Sequence, residues 1–251
     1  MRARTVPRFR SATAAAALLL VASGCTDSDD SPATPETPDS PAAQTSAAAP
    51  DPTPTTVSAT PTPSPEDTPL VDRLLPTGRV PGLNSQWVWQ DGDTGVPTSE
   101  PFGLCAQTAP GADLLSIGAT EVVSRTYFPP DDSDDNAAEQ IAEFPDAATA
   151  NRAWAVLGSW RKHCGRTIDA DTGLKVRPFV PVPVEQGTAR WYLLSWQLAG
   201  EETGRFEAFG MVMSGTRIAV LRIDNSGQDY NYPVGKEPMV GMVTAAAGWL
   251  R

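Results

Sequence analysis

Two scarcities and one local absence shape this 251-residue sequence. It has three cysteines and one histidine, and between Thr26 and Pro69 it has neither a basic nor an aromatic residue. A lone histidine, His163, is a poor base for a Ser-His-Asp triad. There is no G-x-S-x-G, H-E-x-x-H or G-x-x-x-x-G-K-[ST] string to suggest a hydrolase elbow, a zinc protease or a phosphate loop. Cys105, His163 and Cys164 lack a fourth ligand at any zinc-type spacing, so no metal and no cofactor is implied. Asp132, Asp134, Asn136 and Glu143 fall at calcium-loop positions 1, 3, 5 and 12, but Ala137 stands where that loop needs glycine. An acidic loop leading into a strand is the simpler reading. The net charge of −11 offers no basic stripe, which argues against a nucleic-acid or anionic-membrane electrostatic partner.

Charge divides the chain into three. Residues 1–24 carry four Arg and no acid, Thr26–Pro69 carries eight acids and no base, and Leu70 onward carries 22 acids and 15 bases. Arg2, Arg4, Arg8 and Arg10 precede the apolar run Ala12–Ala22, the pattern of an export signal. That run is too short to span a bilayer. It ends in Ala22-Ser23-Gly24-Cys25, which resembles a bacterial lipobox and predicts that Cys25 is acylated and becomes the mature N-terminus. An ordinary secretory signal cleaved nearby, leaving Cys25 free, is the alternative. Acyl chains contribute about 0.8 kcal/mol per buried CH₂, so more than one chain anchors a protein stably to the outer face of the cytoplasmic membrane.

Thr26–Pro69 holds 11 Pro, 10 Thr, 7 Ala and 6 Ser in 44 residues and cannot form a core. It predicts a disordered tether. Extended polyproline II rises about 3.1 Å per residue, so such a tether reaches on the order of 100 Å from the membrane. The domain organisation expected is a signal peptide over 1–24, a lipidated cysteine and tether over 25–69, and one folded domain over 70–251.

With Cys25 taken by lipid, Cys105 and Cys164 remain as a pair in an oxidising compartment, and a disulfide between them is predicted. Pro145-Asp146 starts a helix from Ala147 to Cys164 with Asp146 as N-cap and Gly165 as stop. Ala150, Ala153, Trp154, Leu157, Trp160 and Cys164 share its inward face, and Arg161, Lys162 and His163 complement its dipole. A second helix over Pro238–Leu250 opens with proline and buries Val240, Val243, Ala247 and Leu250. Strands are predicted at Thr120–Phe128, Gln140–Phe144, Lys175–Val184, Arg190–Leu198, Arg205–Met213 and Thr216–Asp224, the last two joined by a Ser214-Gly215 turn. In Arg190–Leu198 the alternating sets Tyr192, Leu194, Trp196 and Trp191, Leu193 make both faces apolar. Either both faces are covered or one lines a cleft. The class expected is α+β, a twisted antiparallel β-sheet with two main helices packed on it.

Gln140-Ile141-Ala142-Glu143-Phe144-Pro145, the helix ending Trp160-Arg161-Lys162-His163-Cys164, the hairpin Gly210–Ile223 and the tail Gly227-Gln228-Asp229-Tyr230-Asn231-Tyr232 together resemble the PknH-like extracellular sensor domain family. That family comprises external domains of actinobacterial receptor Ser/Thr kinases and lipid-anchored relatives without a kinase. The resemblance covers residues 70 to 251. It implies a ligand cleft and helix-to-sheet disulfides, one of which Cys105 and Cys164 match; the cysteines of a second bridge are missing here. The function expected is a non-catalytic, sensor-like domain binding an envelope-associated small molecule, glycan or glycolipid. Trp87, Trp89, Trp191, Arg222, Tyr230 and Tyr232 are the aromatic and cationic candidates for the contact. An envelope scaffold or carrier engaging a protein partner, and a cell-wall hydrolase, are the alternatives.

Overall fold

The structure, a computed structural model, describes residues 68–97, 102–106, 112–167 and 173–251. The predicted signal peptide, Cys25 and the tether up to residue 67 lie outside the described residues. What is described is an α+β unit. Strands β1 (Gln90–Gly95), β2 (Glu121–Phe128) and β3 (Asn136–Glu143) are followed by helix α1 (Ala147–Thr167). Then come β4 (Lys175–Val176), β5 (Val180–Pro181), β6 (Thr188–Trp196), β7 (Gly204–Ser214), β8 (Arg217–Gly227) and helix α2 (Pro238–Trp249). The sheet order is β1-β2-β3-β8-β7-β6-β4, with β5 also on β6, and every pairing is antiparallel. The chain lays down one meander, crosses by α1 to the far edge, and returns as a second meander whose last strand closes on β3 from Asn136↔Asp224 to Glu143↔Arg217.

Alternation along the central strands dictates two cores. On one face Tyr192, Leu194, Phe209, Met211, Ile218 and Val220 pack against Ala150, Ala153, Leu157 and Cys164 of α1. On the other, Trp191, Ala208, Val212, Ala219, Leu221 and Ile223 pack against Met239, Met242, Val243, Ala246 and Leu250 of α2. That second layer is extended over β2 and β3 by Leu70, Leu74, Leu75 and Trp89, which cover Val123, Tyr127 and Ile141. Both faces of β6 are therefore covered.

The helix signals hold in part. Asp146 caps α1 by accepting the Thr149 N–H at 2.7 Å, while the helix runs past Gly165 to Thr167. In α2 Pro238 occupies the first turn as predicted, but Met239 and Met242 are buried and Val240 only half-buried. Two strand predictions and one turn are corrected, and one strand is added. The Gln-Asp-Gly-Asp-Thr-Gly sequence of β1 has no apolar alternation and was not foreseen as a strand. Lys175–Val184 is two short pieces, because Pro178 between them brings no N–H to the ladder. β3 begins at Asn136, four residues earlier than the apolar pattern indicates. The β7–β8 turn is Gly215-Thr216, since Ser214 pairs with Arg217, and Gly215 takes φ +59° there.

Cys105 and Cys164 form a disulfide with a Cα–Cα distance of 4.9 Å across a separation of 59 residues. Closing a loop of that length stabilises the fold by about 4 kcal/mol in the chain-entropy model. Replacing both cysteines by alanine therefore lowers the unfolding free energy by about that amount in urea titrations; an unchanged midpoint contradicts the assignment. Gly210 sets how closely α2 sits on the sheet, because a Cβ there would stand 2.5 Å from both Met239 Sδ and Val243 Cγ2. Gly210→Ala is expected to destabilise by about 1–3 kcal/mol. Combined with Met239→Ala it costs less than the sum of the two single changes; strict additivity counts against the contact.

Candidate functional site

The short segment Phe102–Ala106 lies over the α1 face of the sheet and is fixed there by three independent contacts. Cys105 is bridged to α1. The Leu104 N–H donates to both carboxyl oxygens of Glu207, at 2.8 and 3.1 Å. The Phe102 ring meets Phe209 edge-on at 5.9 Å. Glycine is required between them: Gly103 has φ +87°, and a Cβ would stand 3.0 Å from the Phe209 ring and 3.2 Å from Glu207 Oε1.

Glu207 is 4% exposed, a carboxyl inside the apolar run Phe206–Met213 of β7. It pairs across the ladder with Asp224, so the two side chains share a face. Arg222, two residues along on that face, holds Asp224 through Nε at 2.9 Å and donates from Nη2 to Asn136 Oδ1 at 3.1 Å. Its guanidinium lies 5.5 Å from the Phe102 ring centroid. Burial raises the pKa of Glu207 and of Asp224, and the Asp224 charge raises Glu207 further.

Three cavities follow one another across this face. The first, about 200 Å³, is mostly apolar, with Phe102, Leu114, Leu115, Val122, Leu157 and Trp160 around it and Gln140 among its polar groups. The second, about 300 Å³, shares Phe102 and Gln140 and adds Thr94, Ser124, Thr126 and Arg222. The third, about 260 Å³, shares Arg222 and is lined by Asp134, Asp135, Asn136, Arg205, Glu207 and Asp224. The first cavity is mostly apolar, and the other two mix hydroxyl and amide groups with charged residues, Asp93, Arg125, Glu139 and Arg222 in the second, a combination that suits an amphipathic molecule. In the third, both Glu207 oxygens accept from the Leu104 N–H, and the carboxyl is buried beneath the segment it holds.

Of the six predicted contact residues only Arg222 borders these cavities. Trp89 and Trp191 are core residues, 3% and 6% exposed, on the α2 side. Trp87 meets Trp89 edge-on at 5.4 Å, Trp191 lies 6.4 Å from Tyr230, and Tyr230 lies 4.8 Å from Tyr232. Trp89 Nε1 donates to the Pro81 carbonyl and the Tyr232 hydroxyl to the Leu83 carbonyl, so these rings tie residues 81–89 to the segment after β8. The six do not form one site. Phe102, Leu157, Trp160, Phe209 and Glu207, which do line or support the cleft, are not among the six. A lone glutamate inside the apolar run Phe206–Met213 was the signal for one of them. The calcium-loop spacing is not used: Glu143 is held by Thr216 and by Arg217 Nε, the latter at 2.7 Å. No three His, Cys, Asp or Glu side chains cluster to hold a metal among the described residues.

A second buried carboxyl lies on the opposite face. Glu139 Oε2 accepts the Leu75 N–H at 2.7 Å and lies 3.1 Å from the Tyr127 hydroxyl. That hydroxyl and Arg125 Nη1 both donate to the Leu75 carbonyl, at 2.8 and 3.0 Å. Burial pushes the Glu139 carboxyl up to about 7 from 4.5. A raised carboxyl pKa means that the folded chain binds more protons than the unfolded one between these values. The stability contributed by Glu139 is therefore present below about pH 4.5 and lost as pH rises through about 7. Denaturant titrations are expected to show the protein losing stability from pH 5 to pH 8, with a smaller loss in Glu139→Gln. An identical slope in wild type and variant removes Glu139 as the source.

No family model and no curated protein matches the chain. Among solved structures it is similar to the extracellular domain of PknH from Mycobacterium tuberculosis, with a TM-score of 0.38 and 12% identity over 64% of this chain and 83% of that one. A likeness at this level shows neither family nor function. Among the described residues no helix is long and apolar enough to cross a membrane.

Proposed function

We propose that this protein is a cell-surface lipoprotein, anchored through Cys25 to the outer face of the cytoplasmic membrane. Its folded domain binds an envelope-associated small molecule, glycan or glycolipid without catalysis. The observation that carries this reading is the run of cavities beside Phe102, where an apolar pocket opens into hydroxyl, amide and guanidinium groups. An acyl or other apolar moiety fits between Leu114, Leu157 and Trp160, and hydroxyl groups of the same ligand reach Gln140, Thr126 and Arg222. The lipobox and the proline-rich tether support a location where such ligands occur.

Native mass spectrometry of the protein released gently from its own cell envelope tests this. A discrete adduct in the lipid or saccharide range is expected. It is lost in Trp160→Ala, which empties one wall of the apolar pocket, and retained in Tyr232→Phe on the far side of the sheet. A clean apo mass for the wild type, or an adduct that survives Trp160→Ala unchanged, rejects the cleft as the binding site.

A further inference from the structure

The folded part is acidic overall, yet its cations are concentrated. Residues 152–190 hold seven of the 15 Arg and Lys that follow Leu70 and only three acids, Asp169, Asp171 and Glu185. Two of these cations converge at the β5–β6 edge, among residues that do not line the cleft cavities. Arg190 of β6 lies with its guanidinium carbon 4.0 Å from the Phe179 ring centroid and 4.4 Å from that of Trp154 on α1. Its Nη2 donates to the Trp154 carbonyl at 3.1 Å. Gly158 makes room for it, since a Cβ there would stand 2.9 Å from the same nitrogen.

Arg161 of α1 approaches the same Phe179 ring at 5.4 Å and donates from Nε to the Arg177 carbonyl at 2.8 Å. It thus leans toward the β4–β5 link and away from the terminal carbonyls of its own helix, where a cation serving the helix dipole would point. Among the described residues no carboxylate pairs with either group: the ion pairs there involve Arg205, Arg217, Arg222 and Arg251. Burial holds Arg190 below its ordinary value, and the Arg161 charge lowers it further. Two guanidinium groups beside one ring, half-buried and with no counter-ion among the described residues, offer more donors than a single carboxylate can use. A tetrahedral oxyanion has the acceptors to bridge both.

We infer that Arg161 and Arg190, set against Phe179 and Trp154, bind a phosphate group, as monoester or diester. The exposed Lys175 and Arg177 beside them add positive potential at its approach. This site is separate from the cleft and does not depend on what the cleft holds.

Titration calorimetry of the whole protein at constant ionic strength tests it with three probes: inorganic phosphate, glycerol 3-phosphate, and glycerophosphoglycerol as the soluble headgroup of an anionic phospholipid. One saturable site per chain is expected for at least one probe. Preference for the first two identifies a free phosphate or phosphomonoester, and preference for the third a lipid headgroup. Arg161→Gln weakens binding about ten-fold or more, as loss of a charge-assisted pair does, while Arg251→Gln, whose side chain pairs with Glu185 elsewhere, leaves it unchanged. Arg190→Gln behaves like Arg161→Gln where circular dichroism shows it folded; the half-buried Arg161 carries the test on its own where it is not. No saturable binding of any probe, or wild-type affinity in Arg161→Gln, overturns the assignment.

Discussion

A sheet whose central strands are apolar on both faces has to be covered twice, and the rest of this structure follows from that. Strands β6, β7 and β8 present large side chains alternately to either side, so neither α1 nor α2 alone would leave a soluble surface. The chain meets the requirement by placing one helix between its two meanders and the other at its end. Burying a side chain such as Leu157 or Met242 fully contributes about 1.5–3 kcal/mol, so each helix docks through a handful of contacts. Neither helix is long enough to cover all eight strands. The uncovered remainder is closed by chain outside the sheet and the two α-helices: residues 70–89, with short 3-10 turns at Leu70–Arg73 and Thr77–Arg79, on the α2 face, and 102–106 on the α1 face.

The same device fixes both irregular segments. A glutamate placed inside an apolar stretch of strand turns its carboxyl to a backbone N–H that has no ladder partner: Glu139 to Leu75 on one face, Glu207 to Leu104 on the other. Each is almost fully buried, where a charge would be costly and an unmet N–H also costly. Raising the carboxyl pKa reduces the first cost, and the hydrogen bond removes the second. The cleft on the α1 face exists because the segment held by Glu207 bridges the sheet without filling it.

Much of this architecture was legible in the sequence. Period-two alternation located β2, β6, β7 and β8, and capping and helical spacing located α1 and α2. The limits were physical. β1 joins the sheet through backbone pairing with almost no buried side chain, so no pattern announces it. The site was harder to read, because tryptophans and tyrosines serve a core as well as a ligand. Trp89 and Trp191 are consumed by packing, whereas Phe102, with no periodic neighbours, becomes part of the cleft wall only because a disulfide and a distant glutamate bring it there.

The bonds at Leu75 have a mechanical meaning. The chain reaches the sheet from its N-terminal side through Leu70–Leu75, and at Leu75 one N–H and one carbonyl are gripped by Glu139, Tyr127 and Arg125 from two adjacent strands. A pull transmitted along the chain from that side meets this clamp before it reaches the edge strand β1. Load is thereby delivered to β2 and β3, and through β3's long pairing with β8 to the middle of the sheet, where eight paired residues on each strand share it.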